Sequence, residues 1–300
     1  MKVHTLMVPL DGSRFAEAAL PLAALLAGRT GAKVRLALVH VPQTPPGADA
    51  AGMDVAVQER ERGYLASTAS RLDPAGVVVP ELIQLEGQPG VALAEELERR
   101  PVDVVVMATH GRGAVSRLWL GSVADYLIRH LHVPVLLARP REQEPVYGSS
   151  RIEEVLIPLD TSTTSEQVIE PALTVAGPAG RVTLLHVVEP VLGVAEPALP
   201  FPMPMDPKLI DDLRQMAQAR LDRVADRLRE RGVTVVTRVL TGMGAAAMIL
   251  EEAARGRYDL IAMTTHGEGG LRRLLLGSVA DKVIRGTDIP LLTMRPGGVL

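Results

Sequence analysis

The sequence predicts an α/β fold with two similar halves, each a parallel β-sheet with helices on both faces. In each half of the 300-residue chain, apolar runs rich in β-branched residues alternate with helical patterns five times, and this alternation requires crossover helices between parallel strands. A glycine-rich segment also occurs twice, because Gly111 and Gly121 return as Gly267 and Gly277, both 156 residues later. Such identical spacing indicates the duplication of a whole domain.

The elements of the first half follow from turn residues and from the spacing of apolar residues. The expected strands are residues 3–10, 33–41, 77–85, 102–107 and 134–140, and the expected helices are residues 14–27, 55–72, 87–100 and 122–130. Residues 42–54 are rich in Pro, Gly and Ala, and they are expected to form a loop.

The same order restarts after a polar linker at residues 143–151, so the two domains are expected to cover residues 1–142 and 152–300. The expected strands are residues 155–159, 181–188, 233–240, 258–265 and 290–296, and a long amphipathic helix is expected over residues 208–231. Residues 189–207 contain six prolines and are expected to form a long extended loop. In the second strand, residues 185–187 (Leu-His-Val) are matched with residues 39–41 (Val-His-Val).

The composition excludes several classes of function. The net charge of −3 provides no electrostatic attraction to nucleic acid or to an anionic membrane, and aromatic residues, at 2%, are too few for base-stacking surfaces. Cysteine is absent, which excludes disulfides, zinc–thiolate sites and cysteine nucleophiles. No apolar run reaches the roughly 20 residues of a membrane span, and the chain starts directly with a strand pattern, so a cytoplasmic protein is expected.

The repeated segment has the features of a phosphate-binding loop. A buried strand at residues 102–107 leads into glycines that let backbone N–H groups turn toward a ligand, and Gly121-Ser122 opens a helix. The first N–H groups of a helix have no partner within the helix and carry partial positive charge, which favours a bound anion. Ser122 is expected to add its hydroxyl as the N-cap of this helix.

Gly111 with Gly121-Ser122, and the repeat of this pattern in the second half, resemble the Gly-x2-Gly-x9-Gly-Ser/Thr motif of ATP-binding members of the universal stress protein family. The first glycine of that motif is replaced by Ala108 and by Thr264. The resemblance covers nearly the whole chain as two tandem domains, and it implies flavodoxin-like, five-stranded parallel sheets with the strand order 3-2-1-4-5. In that order the carboxyl ends of strands one and four adjoin, where open α/β sheets bind ligands.

The resemblance further implies one ATP site in each half. In the first half the implied ATP-binding residues are Pro9, Leu10, Asp11, Val41, Ala108, His110, Gly111, Arg112, Gly113, Gly121, Ser122 and Val123. In the second half they are Pro158, Leu159, Asp160, Val187, Thr264, His266, Gly267, Gly269, Gly270, Gly277, Ser278 and Val279. In the family, the aspartate contacts the adenosine part of ATP and the backbone at the valine position meets the adenine edge. Mg²⁺ is held through the phosphates and not by protein side chains.

By the same resemblance, the protein is expected to act as a nucleotide-dependent regulatory module of the stress response, with no catalytic residues and at most slow ATP hydrolysis. The two halves are expected to form a pseudo-dimer within the chain through their fifth strands, and dimerisation of whole chains is a further expectation. No nucleic-acid or membrane partner is expected. The first site is expected to be the better preserved one, because Ala108 adds only a methyl group whereas Thr264 adds more bulk.

Simpler structural roles stay open for several of these residues. Asp11 and Asp160 are also suited to be helix N-caps, and His110 and His266 to be loop residues that bond to nearby carbonyls. Arg112 is replaced by glutamate in the repeat, so the fold does not require it, and a solvated arginine is the simpler interpretation.

Two other classes of function also stay open, namely a nucleotide-utilising enzyme of the related adenylyl-transfer class and a nucleotide-free interaction protein. The chain lacks the P-loop pattern and the Gly-x-Ser-x-Gly pattern of a nucleophile elbow. The Gly-x-Gly-x-x-Ala pattern at residues 242–247 follows a third strand, and it is interpreted as a tight turn and not as a dinucleotide fingerprint.

Overall fold

The computed structural model describes residues 1–42, 50–72, 79–109, 120–140, 152–160, 162–192, 203–204, 206–266 and 276–297. Its contacts divide the chain into two units, one formed by Met1–Arg151 with Leu292–Leu300 and the other by Ile152–Leu291. Each unit combines parallel strands with helices, which confirms the predicted α/β class.

The first unit contains a parallel sheet with the strand order β3-β2-β1-β4-β5. Its strands are β1 (Thr5–Leu10), β2 (Lys33–His40), β3 (Glu81–Glu86), β4 (Val104–Ala108) and β5 (Val135–Ala138). Its helices are α1 (Leu20–Thr30), which a 3₁₀ turn (Ala16–Ala19) precedes, α2 (Ala50–Leu72), α3 (Pro89–Arg99) and α4 (Ser122–His130). The chain leaves β1 and β4 toward opposite sides of the sheet, so a crevice opens at their carboxyl ends.

The second unit repeats this arrangement with the strand order β10-β7-β6-β11. Its strands are β6 (Glu154–Pro158), β7 (Arg181–Val188), β10 (Thr234–Thr241) and β11 (Leu260–Thr264), with the short pair β8 (Val191–Leu192) and β9 (Met203–Pro204). Its helices are α5 (Ile169–Ala176), which a 3₁₀ turn (Ser165–Val168) precedes, α6 (Pro207–Arg229), α7 (Ala245–Arg255) and α8 (Ser278–Gly286). The last strand of the chain is β12 (Leu291–Met294).

The strands that lead to the glycine segments form the centre of each core. All five residues of β4 and all five residues of β11 are buried, as expected for apolar strands that helices cover on both faces. Leu6 and Met7 of β1, and Leu156 and Ile157 of β6, are fully buried beside them. Rigid central strands of this kind fix the positions of the residues at their carboxyl ends.

Two expected loops contain regular structure. Helix α2 begins at Ala50, five residues before the expected start, because Ala50 and Ala51 are strong helix formers and Asp54 is anchored by the His40 imidazole, with 2.9 Å between Oδ1 and Nε2. In the proline-rich segment after β7, strands β8 and β9 pair antiparallel. The following helix α6 starts at Pro207 and is capped by the Asp206 carboxylate, which accepts from the Lys208 N–H at 2.7 Å.

The strand register corrects the sequence match between β2 and β7. In the first half, the Gly87 N–H donates to the carbonyl of His40 (3.0 Å), and in the second half the Gly242 N–H donates to the carbonyl of Val188 (3.1 Å). His40 and Val188 are therefore equivalent, and the sequence match of His186 with His40 is wrong by two residues. A shared His-Val dipeptide produced that match, whereas the backbone hydrogen bonds define the true register.

Candidate functional site

A cavity of about 450 Å³ opens in the second half at the carboxyl ends of β6, β7 and β11. Its walls are residues 158–160 after β6, residues 185–187 and Glu189 at the end of β7, and residues 263–266 at the end of β11. The lining is completed by Ser165, by Ala245 and Ile249 of α7, and by residues 277–280 at the start of α8. The size is that of a small-molecule site, and the location is the crevice where open α/β sheets bind ligands.

Helix α8 presents its N-terminus to this cavity, with Gly277, Ser278, Val279 and Ala280 in the lining. The N-cap is Gly277, whose backbone is extended (φ −60°, ψ 145°), and among the described residues no side chain caps the helix. The first bond within the helix runs from the Asp281 N–H to the Gly277 carbonyl (2.8 Å). The three N–H groups of residues 278–280 therefore precede the helical ladder, and together they favour an anion at this end of the cavity.

The glycine at this junction is required by a close backbone approach. The Gly277 N–H donates to the Thr265 carbonyl at 2.9 Å, and a Cβ atom on Gly277 would lie 2.6 Å from that same oxygen. The first half repeats the contact, since the Gly121 N–H donates to the Thr109 carbonyl at 2.8 Å. The glycine at the end of the motif is therefore required in part for structural reasons, and a substitution at Gly277 changes packing as well as any ligand site.

Serine at the start of these helices does not act as the N-cap. Gly121 is the N-cap of α4, with φ −60° and ψ 149°, and Ser122 is the first helical residue. The expected capping hydroxyl is absent in both described junctions, because neither α4 nor α8 has a side-chain cap. An extended glycine places the serine one position too late to cap. Of the remaining motif residues, His110, Gly111, Arg112, Gly113, Gly267, Gly269 and Gly270 lie outside the described residues.

The aspartate after the first strand of each half fixes a turn. Asp11 Oδ1 accepts from the Ser13 N–H (2.9 Å), and Asp160 Oδ1 accepts from the N–H (3.1 Å) and the hydroxyl (2.6 Å) of Ser162. The serine hydroxyl, in turn, accepts from the N–H three residues later, at 3.0 Å in the case of Ser165. The serine is thus the local cap, and the aspartate orients it. Asp160 is exposed and lines the cavity, where a carboxylate can accept from ligand hydroxyls.

Thr264 fits into the second half without closing the cavity. Its side chain is buried, like that of Ala108 at the matching position, and its hydroxyl donates to the His266 carbonyl at 3.0 Å. The Thr265 hydroxyl lies 3.0 Å from Nδ1 of the His266 ring. These contacts hold the end of β11 in place, so the Thr264 hydroxyl stabilises the backbone of the chain that follows this strand.

Residues at the end of β7 form the remaining wall. The His186 imidazole lies 2.7 Å from the Leu159 carbonyl through Nδ1, and since a carbonyl only accepts, Nδ1 carries the proton. Val187 lines the cavity, and its counterpart by register is residue 39 and not Val41. The counterpart of Val41 is Glu189, a cavity residue that the sequence reasoning missed.

The first half has a buried ionic cluster close to the matching position. The two ring nitrogens of His40 lie 2.9 Å from Glu61 Oε2 and 2.9 Å from Asp54 Oδ1. Both partners are carboxylates, so both nitrogens donate and the ring is an imidazolium. Burial lowers the pKa of His40, but hydrogen bonds and charges from Asp54 and Glu61 outweigh it and raise the pKa above its ordinary value of 6.5.

The described residues contain no group of three or more His, Asp or Glu side chains that could hold a metal ion. In the same part of the chain, no helix is both long enough and apolar enough to cross a membrane.

Parallel strands with helices, and a cavity at the carboxyl ends of the central strands, place this chain among the doubly wound α/β proteins. The model of the universal stress protein family matches residues 2–139 and 151–295, and the chain belongs to that family as a tandem of two such domains.

Individual relatives agree with this assignment. A universal stress protein of Methanocaldococcus jannaschii is 32% identical over 150 residues, which are 49% of this chain and 85% of that protein. One from Mycobacterium bovis is 30% identical over 199 residues, or 65% of this chain, and the match spans only 60% of that protein's length. The crystal structure of a universal stress protein from Archaeoglobus fulgidus superposes with a TM-score of 0.72 over 99% of this chain and all of its own, at 20% identity, and therefore supports the fold.

Proposed function

We propose that the chain binds ATP, one molecule in each half, and serves as a nucleotide-dependent regulatory module in the stress response. The observation that carries this proposal is the uncapped N-terminus of α8 in a cavity of about 450 Å³. In the second half, the N–H groups of Ser278 and Val279 donate to phosphate oxygens, and the Asp160 carboxylate accepts from the ribose hydroxyls. Family membership supports the role in stress.

Mg²⁺ enters this site with the nucleotide. The phosphates of ATP supply hard oxygen ligands, and Mg²⁺ ordinarily retains several water molecules and is bound by few protein groups. Triphosphate binding is therefore stronger with Mg²⁺ than without it, and most of the binding energy comes from the phosphate end. Each backbone N–H that bonds to a charged oxygen contributes roughly 1.5–3 kcal/mol. Calorimetry should then find ATP bound at least tenfold more tightly than adenosine.

The sharpest test places a negative charge where the phosphate would bind, at a position where that charge does not harm the helix. Ser278 is exposed at the first position of α8, and aspartate there is favourable to the helix dipole. The Ser278→Asp variant should stay folded, lose ATP at the second site and reduce the calorimetric stoichiometry by one. Ser122→Asp should do the same for the first site, and Ser278→Ala is the matched control that keeps wild-type binding. Two equally occupied sites in Ser278→Asp would overturn the proposal.

Assembly and location form a separate part of the proposal. Family membership and the duplicated sequence support pairing of the two halves within the chain through their fifth strands, dimerisation of whole chains and a cytoplasmic location. Light scattering coupled to gel filtration measures the mass in solution, and a value of one chain at all concentrations would overturn the dimer.

A further inference from the structure

The cavity of the second half is long enough to give a ligand two distinct ends. It crosses the carboxyl ends of β11, β6 and β7, which are consecutive strands of the sheet. Neighbouring strands are about 4.8 Å apart, so the ends of β11 and β7 are separated by roughly 10 Å. A phosphate on the N-terminus of α8, beside β11, therefore places the opposite end of a nucleotide-sized ligand at β7.

The wall at β7 carries a carboxylate that occupies a second helix N-terminus. Glu189 Oε1 accepts from the N–H groups of Gly244 (2.8 Å) and Ala245 (3.1 Å) at the start of α7. Gly244, the N-cap of α7, provides no side-chain cap of its own. The anion position at α7 is thus filled by the chain itself, and a second phosphate there would meet a negative charge.

On the basis of the proposed nucleotide site, we infer that Glu189 is a specificity-determining residue, which sets the nucleotide with its base at β7 and selects bases that carry an amino group. Among the described residues, Oε2 of Glu189 has no hydrogen-bond partner, and a carboxylate oxygen only accepts. An amino group on the base donates to it. A base that presents a ring-nitrogen acceptor in the same place is repelled.

The first half provides an internal comparison, because its equivalent residue has no charge. Val41 follows His40 as Glu189 follows Val188, and Val41 is 48% exposed. Helix α3 begins with Pro89, which has no N–H to be capped, and the side chain of its N-cap, Gln88, makes no capping hydrogen bond. Selection by a carboxylate is therefore confined to the second half.

The test compares ATP with purine riboside 5′-triphosphate, which lacks only the 6-amino group, in the full chain with Mg²⁺. Methyl NMR signals of Val187 and Val279, both in the cavity lining, report on the second site. Wild-type protein should bind ATP about tenfold more tightly than the analogue, since the lost bond is to a charged acceptor. Glu189→Gln keeps an oxygen for the cap of α7 and presents an amide donor to the base, so the preference should fall to about one or reverse.

The signal of Val123, next to the first-half glycine junction, serves as the control and should be unaffected by Glu189→Gln. Equal affinity for ATP and the analogue at the second site of the wild-type protein would overturn the inference and leave the proposed function intact. A preference that survives unchanged in Glu189→Gln would also overturn it. If ATP produced no shift of Val187 or Val279 at all, both the inference and the second nucleotide site would be wrong.

Discussion

Helices α2 and α6 both contain 23 residues and both follow the second main strand of their half, but they bury different sets of side chains. Helix α6 buries five apolar side chains, Ala217, Leu221, Val224, Ala225 and Leu228. Among its described side chains, α2 buries two leucines and a threonine, Leu65, Leu72 and Thr68. Its N-terminal part is anchored instead through the ionic cluster of His40, Asp54 and Glu61.

The difference shows which parts of the duplicated domain are interchangeable. Both halves keep the glycine junction between the fourth strand and its helix, with N–H to carbonyl distances of 2.8 and 2.9 Å. By contrast, His40 is replaced by the buried Val188 at the equivalent position. The strand ends are thus retained where a ligand would bind, whereas the buried residue at the end of the second strand can be either apolar, as Val188 is, or ionic, as His40 is.

The largest expected effect is the loss of apolar packing under α6. Leu221 is fully buried, so Leu221→Ala removes its transfer energy and leaves a cavity. The free energy of unfolding should fall by about 3 kcal/mol, as measured by urea denaturation. Because no titrating group is involved, the loss should be the same at every pH at which the protein folds. A loss confined to one pH range would contradict the apolar attachment of α6.

The ionic attachment of α2 should give a smaller loss that depends on pH. His40→Val introduces the residue of the second half but leaves Asp54 and Glu61 without their cation. Those two side chains are 27% and 15% exposed, so the cost should be about 2 kcal/mol, below that of a fully buried pair. Replacing all three residues, as His40→Val with Asp54→Leu and Glu61→Leu, should restore most of the stability. If the triple variant had a lower free energy of unfolding than His40→Val, the ionic cluster itself would be required for stability.

The sign of the pH dependence follows from the raised pKa of His40. Its stabilising contribution is fully present below 6.5, the ordinary value, and is lost as the pH rises through the higher folded value. The difference in unfolding free energy between wild type and His40→Val should therefore be largest in mild acid and shrink in alkali. Urea titrations across this range measure it. A difference that grows with pH would exclude the imidazolium.

The smallest expected effect is a gain of stability in α2. Gly63 lies inside this helix, and a Cβ atom there would have no heavy atom within 4 Å apart from its chain neighbours and the backbone of the helix itself. Gly63→Ala should raise the free energy of unfolding by about 0.5–1 kcal/mol, because alanine has the higher helix propensity. Gly28→Ala in α1 has equally open surroundings and should give the same gain. If thermal denaturation showed a gain in stability for Gly28→Ala but none for Gly63→Ala, α2 would not be a continuous helix at residue 63.

Much of the fold could be predicted from sequence, because strands such as β4 and β11 are apolar throughout and the duplicated glycines fix the repeat. The strand register and the helix caps could not be predicted where a short local sequence pattern was misleading. The His-Val dipeptides suggested a wrong register for β7, and the serine after Gly121 suggested a cap that the extended glycine displaces. The start of α2 depends on the contact between His40 and Asp54, which are 14 residues apart.

The candidate site was predicted in part. Asp160, Thr264, Gly277 and Ser278 line one cavity, as their positions at strand and helix ends implied. Glu189 was missed because its role arises from the third crossover, which brings the start of α7 to the end of β7. One signal was available: α7 begins after Gly-Met-Gly without a capping side chain, and such a helix needs an acceptor from elsewhere.

A crystal structure of the protein grown with ATP and Mg²⁺ would test the central claim most directly. We expect phosphate oxygens within about 3 Å of the backbone nitrogens of Ser278 and Val279, with the base beside Val187 at the end of β7. The account would be contradicted if, in crystals grown with saturating ATP, the second-half cavity were empty or the phosphates lay away from the N-terminus of α8.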